Sequence, residues 1–219
     1  MGQYYIPTIL GPRYGISATF YSHDYDNGLK LMEHSYLGNN FVNAVSLKIY
    51  HQPMRVAWIG DYSNQPYPED DIKEREPYQR KLLKAEFMRI YNKVWNSDRN
   101  YKKIKPEPLG GFESPEKFDG YYLINHTQET YVDLGEYERM NGHTEIWTDR
   151  NGETHSCWEV IHPLPLLTAC GNDRGGGDYH EPYPDYDMIG RWAFDVIELA
   201  SYKPVGFTEE IYRFKEERV

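Results

Sequence analysis

Cysteine is scarce in this 219-residue chain, with only Cys157 and Cys170. That is too few for a disulfide framework and suits a reducing, cytoplasmic setting. There is no apolar run of about 18 residues, the length that a membrane-spanning helix needs, so no membrane partner is expected. The opening residues MGQYYIPTIL lack the basic patch and apolar stretch of a secretory signal. Tyr5-Ile6 stand where a myristoylation motif places a small hydroxyl residue. Internal repeats and low-complexity tracts are absent, as are the Cys and His spacings of zinc sites.

Aromatic residues, in contrast, are abundant. They make up 16% of the chain and include 21 tyrosines. A chain so rich in large apolar rings offsets its ordering entropy by burial, which argues for a folded protein. The net charge of −10 is unevenly spread: residues 1–110 hold 15 Lys and Arg against 12 Asp and Glu, and residues 111–219 hold 9 against 22. Such an acidic second half repels nucleic acid and draws in cationic partners, so nucleic acid ranks last among the partners considered. A negative net charge of this size serves to keep a protein soluble; the alternative is an acidic face that imitates a nucleic-acid backbone in another protein's basic groove.

The local patterns predict an α+β fold in a single mixed domain spanning 1–219. Two short strands are expected at 3–10 and 14–22, turned by Gly11-Pro12. A helix over Asn39–Ile49 aligns Phe41, Val42, Val45 and Ile49 on one side. A buried strand follows at Arg55–Ile59 and ends at Gly60-Asp61. A second amphipathic helix is expected over Tyr78–Trp95, with Leu83, Phe87, Ile90 and Val94 in its stripe. Surface loops are expected at 63–77 and 96–111. The C-terminal half reads mainly as antiparallel β. Runs at 121–125 and 130–134 precede runs at 144–148 and 153–161, with Asn151-Gly152 between the last two predicting a type I′ hairpin. His162-Pro-Leu-Pro is expected to end the sheet edge, and Arg191–Ala200 reads as a strand.

The stretch Asn172 to Tyr179 (NDRGGGDY) carries the most distinctive chemistry. Gly175, Gly176 and Gly177 have no Cβ, so their amides can converge on an anion, and Arg174 adds a forked cation. Asp173 and Asp178 would repel a bare phosphate. A divalent cation removes that objection, as does a ligand whose ribose hydroxyls bond the carboxylates. The glycine spacing is that of neither a P-loop nor a dinucleotide fingerprint. A tight structural loop capped by Asp and Asn side chains is the alternative.

Other candidates lie in the first half. Adjacent Glu33 and His34 can perform acid–base work if their side chains converge, because imidazole titrates near neutrality. Asn39 or Asn40 suits a helix cap, while Asn43, among apolar neighbours, needs partners if buried. Asp61 places a carboxylate at a strand end, where it lines a site or caps a turn. His155 and Cys157 share a face of one predicted strand, and with Cys170 they could form a zinc site only by an irregular spacing. The basic flank of the 78–95 helix offers Tyr91, Trp95 and Tyr101 to nucleic-acid bases, but its period turns the aromatics mostly inward.

Three of these regions resemble a pattern in uncharacterised bacterial and bacteriophage proteins. They are Lys30–Tyr36 (KLMEHSY) through Val45, Trp58–Tyr62 (WIGDY), and Tyr122–His126 taken with His162–Thr168 and Gly171–Tyr179. The segments cover about a quarter of the chain but are spread along most of it. That family has no assigned activity, so the resemblance implies a lineage in mobile-element biology and no mechanism. Asp173 departs from the pattern, which usually has a less acidic residue there.

Together these features lead to two expectations. One is a pocket lined by Arg174, Gly175, Gly176, Gly177, Asp178, Tyr179, Asn43 and Asp61 that holds a small phosphorylated or nucleotide-like anion, with His34 and Glu33 as acid–base groups should turnover occur. The other is a phage-associated inhibitor that binds a host defence protein through its acidic, Tyr-rich surface. No cofactor or metal motif accompanies either, and the sequence leaves oligomeric state open.

Overall fold

The computed structural model describes residues 3–64, 82, 84–96, 118–171 and 188–213. In chain order these form strands β1 (Tyr5–Leu10), β2 (Ile16–Thr19) and β3 (Met54–Gly60), then β4 (Tyr122–Asn125), β5 (Thr130–Asp133), β6 (His143–Thr148) and β7 (Thr154–Glu159), and lastly β8 (Ala169–Cys170), β9 (Val196–Ala200) and β10 (Thr208–Glu209). The helices are α1 (Leu31–His34), α2 (Asn40–Lys48), α3 (Lys84–Trp95), α4 (Leu134–Asn141) and α5 (Pro163–Leu167). Eight strands make one mixed sheet in the order β10-β5-β4-β9-β3-β1-β2, with β8 also paired to β3; β6 and β7 form a separate hairpin. The fold is α+β.

Residue alternation sorts the core onto two faces. Tyr5, Ile9, Val56, Trp58, Leu123, Val132, Ile197 and Leu199 point to one side, against Phe41 and Val45 of α2, Tyr137 of α4, and Leu164 and Leu167 of α5. Their chain neighbours Ile6, Leu10, Ala57 and Ile59 point to the other, where Ile90, Tyr91 and Val94 of α3 cover them. Over β4, β5 and β9 that second face carries a smaller cluster of Ile124, Tyr131 and Ala200 with Tyr122 and Phe207. Each fully buried aliphatic side chain stabilises by about 1.5–3 kcal/mol, so the period-2 pattern fixes the register.

Pro7 sits inside β1, where a missing N–H would normally break a ladder. Its carbonyl accepts from Phe20 N at 3.1 Å. In an extended strand its nitrogen faces the same side, so the reciprocal bond to Phe20 is not made, and β2 ends at Thr19.

Several local expectations need correcting. The hairpin joining β6 and β7 forms at the expected place, but only Gly152 takes positive φ (85°), and Asn151 does not. Asp149 N donates to Glu153 O at 2.9 Å and Gly152 N to Asp149 O at 3.1 Å, while Asp149 Oδ1 accepts from the amides of Asn151 and Glu153. The Asp149 carboxylate thus organises a wider turn than type I′. His162-Pro-Leu-Pro starts α5 rather than ending a strand. His162 Nδ1 caps Leu164 N at 3.0 Å, and both prolines fall in the first turn, where amide protons lack helical partners. Of Arg191–Ala200 only Val196–Ala200 is strand; the preceding turns bury Trp192, Ala193 and Phe194. The expected 78–95 helix is described from Lys84 onward. The expected loops at 63–77 and 96–111 fall almost entirely outside the described residues.

Candidate ligand site at the carboxyl ends of two parallel strands

β3 and β8 run parallel, with Trp58 opposite Ala169 and Ile59 opposite Cys170. The next residues, Gly60-Asp61 and Gly171, therefore emerge side by side. In open α/β sheets ligands bind beyond the carboxyl ends of parallel strands; in this chain the parallel pair is short and sits in a mostly antiparallel sheet. Here both strand ends close on the buried amide of Gln3. A Cβ on Gly60 would overlap Gln3 Nε2, and one on Gly171 would overlap Tyr5 OH and the Gln3 amide. The glycines are required by space, not by φ. Tyr5 OH donates to Gln3 Oε1 at 3.2 Å, fixing the amide between them.

Asp61 is tied on three sides. Its amide donates to Tyr4 O at 3.0 Å, its Oδ1 accepts from Tyr4 N at 3.1 Å, and its carbonyl accepts from Tyr91 OH of α3 at 2.6 Å. Partial burial raises its carboxyl pKa against the pull of these main-chain bonds. Burial and the Asp61 charge likewise raise the Tyr91 phenol. Ser63 Oγ donates to Gly60 O at 2.7 Å and closes the turn. The result is a half-buried, held carboxylate at the strand end, able to accept from a hydroxyl or to hold a cation.

The other expected residues have different places. Arg174, Gly175, Gly176, Gly177, Asp178 and Tyr179 lie outside the described residues. Asn43 is buried in α2, and its Nδ2 donates to Gly38 O at 3.3 Å. The cap of that helix is Asn39, whose Oδ1 accepts from Phe41 N at 2.9 Å. Glu33 and His34 do not converge. Glu33 stays at the surface, accepting from Lys30 N at 3.0 Å with Lys30 Nζ at 3.4 Å, and that main-chain bond lowers its pKa.

His34 is fully buried. Trp58 Nε1 donates to its Nε2 at 3.1 Å, so the proton resides on Nδ1 and is donated to Gly28 O at 3.1 Å. Desolvation pushes its pKa down to about 4. Both nitrogens are committed, so the ring is a neutral core group and not an acid–base catalyst open to solvent.

The suspected zinc trio also separates. Cys170 is buried in the main sheet, whereas Cys157 lies on the hairpin with its Sγ 3.2 Å from Glu159 Oε1. Among the described residues one His/Asp/Glu group has metal-compatible spacing: Asp149, Glu153 and His155, whose ligand atoms lie within 4.8 Å of one another at the β6–β7 turn.

Sequence reading missed Gln3, which carries no motif, and Glu198 of β9. Glu198 is a carboxylate inside the apolar run VIELA, and that incongruity was its only signal. No family model, curated protein or solved structure matches the chain. Among the described residues no helix is long and apolar enough to cross a membrane.

Proposed function

We propose that the chain binds a small phosphorylated, nucleotide-like anion beyond the carboxyl ends of β3 and β8. The supporting observation is the parallel register that sets Gly171 beside Gly60-Asp61, because Gly171 opens the stretch that runs through RGGGDY. In this reading the amides of Gly175–Gly177 donate to the phosphate, Arg174 pairs with its charge, and Asp61 and Asp178 accept from ribose hydroxyls or share a divalent cation. The test is a thermal-shift screen with nucleoside mono-, di- and triphosphates, with and without magnesium. A binding nucleotide raises the melting point progressively with its concentration. Arg174→Gln and Gly176→Asp abolish the shift in proteins that still melt cooperatively. A flat response to every nucleotide refutes the proposal.

A second reading, an inhibitor of a host defence protein, draws on a cavity of about 280 Å³. Asp133, Glu136, Glu209 and Glu210 line it with a single cation, Lys203, a composition suited to a partner's basic side chain. It requires that Glu209→Gln with Glu210→Gln abolish binding of an arginine-rich peptide, although the net charge stays strongly negative.

A further inference from the structure

Glu198 faces the second side of the sheet, yet it is only 3% exposed. Its Oε2 meets His126 Nε2 at 2.6 Å, and Tyr202 OH donates to its carboxylate at 3.0 Å. Its Oε1 lies 3.8 Å from His51 Nδ1. The far nitrogen of the same ring, His51 Nε2, lies 3.1 Å from Ser201 Oγ. Hydroxyl, imidazole and buried carboxylate thus stand in the order that activates a serine: Nε2 takes the hydroxyl proton while the acid orients Nδ1–H. The Glu198–His51 separation exceeds hydrogen-bond length, whereas the same carboxylate holds His126 Nε2 at 2.6 Å, so Glu198 acts on His51 through its charge.

The imidazole is also held in place. His51 has φ of 50°, an uncommon value for a non-glycine residue. Its amide donates to Leu199 O at 2.9 Å. Its ring stacks on Tyr202 at 5.7 Å and 17°, with Tyr50 4.1 Å away on a tilted plane. Backbone strain retained where several contacts over-determine a side chain is characteristic of functional positions. Ser201 is exposed, and next to it are Tyr202, 47% exposed, and Val205, 96% exposed. β9 runs antiparallel to β3, so this group lies at the opposite end of the sheet from Asp61 and is independent of the ligand site.

We propose that Ser201 is a nucleophile activated by His51, with Glu198 as the orienting acid, and that it accepts acyl groups from activated esters. Ser201 Oγ forms a bond to the carbonyl carbon as its proton passes to His51 Nε2. The ester C–O bond breaks, and the leaving alkoxide takes that proton. Water then attacks the acyl-serine, His51 accepts and returns a proton, and a carboxylic acid and free Ser201 result.

A fluorophosphonate probe tests this directly, because the Oγ–P bond forms as P–F breaks and fluoride departs. Peptide mass spectrometry should find the adduct on Ser201 and none in Ser201→Ala. His51→Asn keeps a residue type that tolerates positive φ and should slow labelling roughly 100-fold. Glu198→Gln should slow it less while leaving near-UV circular dichroism unchanged. p-Nitrophenyl butyrate hydrolysis should fall in parallel across the three variants. Absence of an adduct on Ser201, or labelling of folded His51→Asn at the wild-type rate, overturns the proposal.

Discussion

Trp58 on β3 and His34 on α1 share one hydrogen bond in the core, indole Nε1–H to imidazole Nε2 at 3.1 Å. An indole nitrogen only donates, so the bond dictates which histidine nitrogen bears the proton. Trp58→Phe removes the donor and leaves Nε2 buried without a partner. The expected loss is about 1–3 kcal/mol in chemical denaturation, with little change in the slope of the transition.

Acid sensitivity follows from the same ring and from His162. Burial lowers their pKa values to about 4 and about 3, from an ordinary 6.5. Below pH 6.5 the unfolded chain takes up protons that the native state refuses, so stability rises with pH through this window and falls on acidification. Denaturation midpoints should therefore decline from pH 7 toward pH 4. His34→Asn should flatten the decline even though it lowers stability at neutral pH. An unchanged slope in that variant would show that other groups govern the acid limb.

Gly60 has no room for a side chain because Gln3 occupies it. Gly60→Ala should destabilise by about 1–3 kcal/mol, the usual range for overpacking. Combined with Gln3→Ala it should cost less than the sum of the two single changes, since the atom in conflict is gone. A strictly additive double mutant would place the conflict elsewhere.

The β6–β7 turn separates two neighbouring residues by their φ. Gly152→Ala forces a Cβ into the left-handed region and should weaken the hairpin by about 1 kcal/mol. Asn151→Ala should have a smaller effect, because Asn151 does not take positive φ. Amide exchange at Asp149 and Gly152, whose N–H groups close the turn, provides the readout. Equal effects at both positions would restore the type I′ turn that the sequence suggests.

How much the sequence disclosed depended on the range of the interactions. The strands at 3–10, 55–59, 121–125 and 130–134 were legible because short runs rich in apolar, aromatic and β-branched residues between turn signals are written locally. A cap at Asn39 or Asn40 was legible for the same reason, and the structure selects Asn39. α4 escaped notice: it is short and polar, and it is set by Asp133, whose carboxylate accepts from Gly135 N and Glu136 N. α5 escaped because its prolines look like terminators until His162 is seen to cap them. The pairing of β8 with β3 brings together residues more than a hundred positions apart, and no local pattern encodes it. The His51–Glu198 neighbourhood is likewise a product of tertiary register.

One edge of β3 is divided between two short partners. Trp58 N donates to Thr168 O at 2.8 Å, just before β8, whereas Val56 exchanges bonds with Phe194 and Asp195, just before β9. A substitution that breaks the extended backbone of β3 between Val56 and Trp58 would therefore release two segments at once, the one leading into β8 and the one leading into β9.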